Sequence, residues 1–160
     1  MIRIFGVTLI LTSSVLTGII LAKDLNERVA LLKDIRQAAI YIKSDFEYRA
    51  PILSECFENR GILFGKAAVY AKENNVLPKD ALKKTVDEIK FLCSEDKDAI
   101  YSFADNLSQE EIGGQIANIT WLIDTLEKRI KDAETEYKTK GRLYKSGGAL
   151  TGIGLVILLL

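Results

Sequence analysis

The chain has 160 residues, enough for one domain with appendages and too few for two full domains. Its 22 basic and 22 acidic residues cancel, and it contains no histidine, the commonest general base and metal ligand. Balanced charge excludes an overall attraction for nucleic acid, and no metal or cofactor is expected.

The charges are confined to the middle. Arg3 is the only one before Lys23, and Lys145 is the last. The stretch Ile4 to Ala22 is 19 residues without a charge. As a helix it measures roughly 28 Å, close to the hydrocarbon thickness of a bilayer. A cleaved signal peptide is the rival reading, but no small-residue cleavage site follows. The run also passes directly into an amphipathic pattern at Leu25, Val29, Leu32, Ala39, Ile42 and Phe46. Residues 1–22 therefore read as an N-terminal transmembrane helix.

Residues 23–145 read as a helical bundle domain. Pro51 ends the first long helix, because proline cannot continue the hydrogen-bond ladder. "GILFGKAAVYAKENN" forms a short helix stopping at Asn74–Asn75, and Pro78 suits the first turn of the next. Leu82, Val86 and Ile89 mark the buried side of that helix. Ser94, followed by Glu95 and Asp96, predicts a capped helix start, with Ile100, Phe103 and Leu107 as its apolar stripe. Ser108 to Glu111 has the pattern of a capping box. A heptad seam then runs through Ile112, Ile116, Ile119, Ile123, Leu126, Ile130, Ala133 and Tyr137. The seam is suited to self-association, although the chain's own Leu25–Phe46 helix is the nearer partner.

Residues 146–160 form a second apolar run, short for a span. Gly147 to Leu160 reaches roughly 21 Å as a helix. Gly148 and Gly152 there, and Ser14 and Gly18 in the first run, are small residues four apart that permit close helix contact. They lie at similar depths and are expected to pack the two spans antiparallel. Lys138, Lys140, Arg142 and Lys145, with no acid among them, are candidate ligands for lipid headgroups. The basic residues flanking the domain place it in the cytoplasm by the positive-inside rule. That compartment argues against a disulfide between Cys56 and Cys93. The fold class is thus all-α: an antiparallel bundle of about five to six helices, flanked by N- and C-terminal transmembrane helices.

No phosphate loop, zinc-protease, nucleophile-elbow, paired-cysteine or calcium-loop motif occurs, and no catalytic residue is expected. The stretch Glu95–Glu111 holds six acids and one lysine. Glu95, Asp96, Asp98, Glu110 and Glu111 are the candidate docking residues for a basic protein partner.

The tail "LYKSGGALTGIGLVILLL" resembles the end of the stage III sporulation protein AB family. Tyr144, Lys145, Ser146, Gly148, Leu150, Gly152 and Val156–Leu159 carry the resemblance. Asp45, Tyr48, Pro51 and Leu53 are similar to a second family stretch, with the proline one position early. Leu107, Gly114 and Gln115 match a third, in which Ser108 replaces a glycine and Glu110–Glu111 replace Ser-Asp. The resemblance implies a mother-cell membrane protein of endospore formers, in a secretion-like complex between mother cell and forespore. Its soluble part would resemble the type II secretion inner-membrane platform protein. The implied partners are membrane lipids, a cytoplasmic secretion-type ATPase and other stage III channel proteins. The competing reading is a membrane-anchored extracytoplasmic helical sensor or scaffold.

Overall fold

The computed structural model describes the backbone of residues 2–49, 56–108 and 112–159. Within these, the side chains of 2–5, 7, 10, 11, 49, 108, 145, 149, 155, 158 and 159 lie outside the description. Five α-helices account for nearly all of it: α1 (Ile2–Arg49), α2 (Gly61–Asn74), α3 (Pro78–Glu88), α4 (Ser94–Asp105) and α5 (Ile112–Leu159). A 3₁₀ turn, Asn106–Ser108, leads out of α4. No strand occurs among the described residues. Pro51 and the Gln109–Glu111 part of the expected capping box lie outside them.

The chain divides into two compact units. One comprises 1–29 with 132–160, the other 30–131.

The second unit is built by the amphipathic half of α1, the three short helices and the first half of α5. Leu32, Ile35, Ala39, Ile42 and Phe46 are buried at steps of three and four, one face of an α-helix. Burial of each large side chain contributes about 1.5–3 kcal/mol relative to exposure. On α5 the buried stripe is Gln115, Asn118, Ile119, Leu122, Leu126 and Ile130. This corrects the start of the expected seam. Ile112 is half exposed and Ile116 and Ile123 only partly covered, while Gln115, Asn118 and Leu122 take the inner positions. The reason is hydrogen bonding. Gln115 Nε2 donates to the carbonyl of Leu107 at 2.8 Å, and Asn118 Nδ2 to that of Phe103 at 3.0 Å. Both carbonyls stand at the end of α4 and its 3₁₀ turn, where a helix has no partners of its own.

The short helices owe their boundaries to local chemistry. α2 begins after a tight turn, with Asn59 and Gly61 at positive φ (58° and 65°). Its N-cap residue Arg60 offers no side-chain cap. Asp34 of α1 replaces it, accepting the Ile62 N–H at 2.7 Å. A Cβ on Gly61 would lie 2.8 Å from that carboxylate, so the site takes glycine. Arg60 turns instead to Asp45 at 2.6 Å and stacks 5.5 Å over the Tyr41 ring. α2 ends at Asn75 in the left-handed region, and α3 opens on Pro78, both as the sequence predicts. α2 packs on α3 and α3 on α4. Phe57, Phe64 and Phe103 fill the centre, with ring centroids 5.0 and 6.1 Å apart.

In the first unit α1 and α5 run antiparallel. Ser14 meets Gly148, Gly18 meets Tyr144, and Arg28 meets Glu136 at 2.7 Å. Among the described residues no helix is long and apolar enough to cross a membrane. The expected flanking spans are therefore not supported there. Ile4, Phe5, Val7, Ile10 and Leu11, which belong to the first apolar run, have side chains outside the description.

Phe64→Ala should destabilise the second unit by about 3–5 kcal/mol, because a fully buried ring leaves a cavity against two aromatic neighbours. Denaturant titration of the full chain in detergent, followed by circular dichroism, measures it; a loss below 1 kcal/mol would contradict this packing.

Candidate functional site

Two surfaces carry the residues singled out in the sequence, one in each unit. In the first unit the helices touch through small residues. Ser14 Oγ donates to the Gly148 carbonyl at 2.5 Å. A Cβ on Gly148 would lie 2.8 Å from the Ser14 carbonyl, and one on Gly18 would overlap the Tyr144 carbonyl. Neither can be a larger residue without the backbones parting. Gly152 is also buried. Gly18 and Gly148 also face each other directly: a Cβ on either would lie 3.4–3.5 Å from the other's Cα.

The inner faces are small, and the outer faces are greasy. Leu9, Leu16, Ile19, Ile20 and Leu21 on α1 are 44–60% exposed, and Leu150, Ile153 and Ile157 on α5 are 50–70% exposed. A water-soluble helical pair has the opposite arrangement, with large aliphatic side chains inward.

Next to this pair lies the basic stretch. Lys138, Lys140 and Arg142 are exposed, and the Lys145 side chain lies outside the described residues. Lys140 is already engaged by Glu136 at 2.6 Å, one helical turn away. The Glu136 carboxyl is held below its ordinary range by the Lys140 hydrogen bond first, and then by the charge of nearby Arg28. Lys140 is raised for the same reason. Lys138 and Arg142 form no ion pair with a carboxylate among the described residues, which leaves them the better placed for an anion.

In the second unit the acidic candidates separate. Glu95 and Asp98 are exposed on α4, but Asp96 is fully buried. Asp96 therefore cannot belong to a docking surface. Its carboxylate folds back to accept the Cys93 N–H at 3.3 Å, the returning half of a capping box. The same geometry corrects the helix start: Cys93, not Ser94, is the N-cap residue. Asp105, counted in the acidic stretch, is paired with Lys83 of α3 at 2.5 Å. Glu110 and Glu111 lie outside the described residues.

The thiols are quiet. Cys56 is buried, neither cysteine is in a disulfide, and burial followed by hydrogen bonding with Glu95 pushes Cys93 up to about 11. A thiol so placed is not a nucleophile at neutral pH. Among the described residues no three acidic or sulfur side chains gather in a way that could hold a metal. The residues that sequence reasoning missed are Asp34, Gln115 and Asn118. Each is a polar side chain on a long helix that ends another helix, and only Gln115 stood out, through a motif. Nothing in the sequence distinguishes the other two from solvated polar residues.

These features define a class: an all-helical protein whose two longest helices are joined antiparallel through small residues and are greasy on the outside. Within that class the family is settled by comparison. Residues 3–160 match the family stage III sporulation protein AB, and the chain belongs to that family. No curated protein matches the chain, and no solved structure does.

Gly18→Leu and Gly148→Leu should each reduce crosslinking between cysteines introduced at Thr17 and Tyr144 of a chain lacking Cys56 and Cys93, because leucine cannot occupy the contact. Undiminished crosslinking would contradict the close approach. A group whose folded pKa is lowered stabilises above its ordinary value, here 4.5, and loses that contribution as pH falls through the folded value. Glu136→Gln should therefore lower the melting temperature at pH 7, by an amount that shrinks as the pH is taken below 4.5, as read by thermal circular dichroism in detergent.

Proposed function

We propose that the protein is a non-enzymatic membrane platform of the stage III sporulation machinery, coupling a cytoplasmic secretion-type ATPase to membrane channel components. The observation that carries this reading is the inverted packing of the first unit. Small residues face inward, and a continuous set of leucines and isoleucines faces out. Lipid tails cover such a surface without cost, whereas water does not. In this reading residues 1–22 and 146–160 enter the bilayer of the mother-cell membrane around the forespore. Lys138 and Arg142 then hold anionic headgroups, and Lys145 can reach the interface from the sequence position it occupies.

The second unit is on the cytoplasmic side, as the distribution of lysine and arginine favours. It offers helix faces for proteins rather than a reaction centre. Family membership supports the sporulation role, and the secretion analogy supports the ATPase as partner. The extracytoplasmic sensor reading gains no observation of its own.

Single cysteines at the exposed positions Lys72 and Lys131, in a chain without Cys56 and Cys93, test the topology. An impermeant thiol reagent should label them only after the cells are lysed. Labelling of intact cells would overturn the cytoplasmic placement and the ATPase coupling with it.

A further inference from the structure

The groove between α4 and the start of α5 is lined by Ser102, Asn106, Gly114, Ala117, Asn118 and Trp121. Three of its lining residues, Ser102, Gly114 and Ala117, are small, and Ala117 is exposed. One wall is Trp121, the only tryptophan of the chain, left 45% exposed. A tryptophan on an open surface is an unused anchor: it supplies a large apolar contact with one polar atom.

The chain segments that form the groove are predominantly acidic, with Lys97 and Lys128 just outside them. From Asp98 to Glu127 the chain carries Asp98, Asp105, Glu110, Glu111, Asp124 and Glu127, and no lysine or arginine. Asp98 lies one turn before Ser102 on α4, and Asp124 one turn after Trp121 on α5. The basic groups that reach this region come from its ends. Lys83 of α3 neutralises Asp105, Arg36 of α1 and Lys131 pair with Glu127, and the charge of Arg129 acts on Glu95. Asp98 and Asp124 remain as exposed acids beside the groove.

We infer that this groove receives a cationic amphipathic helix of a partner protein, with Trp121 as the anchor and Asp98 and Asp124 as the charges that orient it. Small lining residues between two helices let a third approach. The acids select a basic partner and repel phosphate, so nucleic acid and anionic lipid are poor occupants. The inference rests on the platform reading for the partner being a protein, and it places the partner surface on α4 and α5 rather than on the acidic stretch as a whole. Asp96 is excluded, and Trp121, Ala117 and Asp124 are added.

Trp121 reports on its own groove, because no other tryptophan competes in fluorescence. The full chain in uncharged detergent is titrated with a tryptophan-free helical peptide of alanine and lysine. The expected result is a saturable blue shift and shielding of Trp121 from acrylamide. Ala117→Arg, and Asp98→Lys with Asp124→Lys, should each weaken the peptide by about tenfold or more while the helix content stays unchanged. An alanine–glutamate peptide should not shield Trp121. Equal shielding by both peptides, or none by the basic one, overturns the inference. So does shielding that rises with protein concentration alone, which would assign the groove to a second copy. Co-purification with the sporulation ATPase separates the two readings. An ATPase that binds wild type and Ala117→Arg equally overturns the groove and keeps the platform. An ATPase that binds neither, with the peptide still shielding Trp121, overturns the platform and keeps the groove.

Discussion

Where Gly18 meets the Tyr144 carbonyl there is no room for a side chain. That close approach governs the first unit. Once two backbones touch, every large side chain at that level must point elsewhere, and the leucines and isoleucines of both helices turn outward. The Ser14 hydroxyl adds a hydrogen bond across the same contact. In a water-soluble protein this arrangement forfeits apolar burial worth about 25 cal/mol for each Å² left in water. In lipid nothing is forfeited, and tight packing and the hydrogen bond become the terms that hold the helices together. The arrangement suits an apolar solvent outside, and this is the observation on which the proposed membrane role rests.

The second unit is held by a different device. Two helix ends in it, the start of α2 and the end of α4, are capped by polar residues on the long helices. Asp34 closes the start of α2, while Gln115 and Asn118 close the end of α4. Each of these side chains occupies a position that an apolar residue could fill, at a cost in burial. The return is that the orphan amides and carbonyls of the short helices are satisfied, and each such group left bare inside costs about 1–3 kcal/mol. Polar anchoring also fixes register, because a hydrogen bond is directional and an apolar contact is not. The phenylalanine cluster then supplies burial without having to supply specificity.

The acidic character of the middle of the chain has two components that composition merges. Asp96 and Asp105 are structural, one inside a cap and one inside an ion pair with Lys83. Glu95 and Asp98 face solvent. A count of acids treats the four alike, and burial separates them. The same holds for the basic stretch, where Lys140 serves Glu136 and only its neighbours face outward freely.

Much was legible in the residues alone. The helical class, the stop at Asn75 and the start at Pro78 follow from local rules: proline cannot donate, and asparagine tolerates the left-handed region. The later part of the α5 stripe, through Ile119, Leu126, Ile130 and Ala133, follows from a period of three and four. The family was legible in the tail, because its glycines and aliphatics fall in a fixed order. What the sequence could not determine were facts about pairs distant in the chain. That Gln115 and Asn118 rather than Ile112 and Ile116 face inward depends on two carbonyls of another helix. That Trp121 is left beside an open groove depends on how α4 lies against α5. Local propensity acts through neighbours three and four residues away. Partners eight to more than a hundred residues away are decided only when the chain is folded, because only then does a polar atom find out whether water is still available to it.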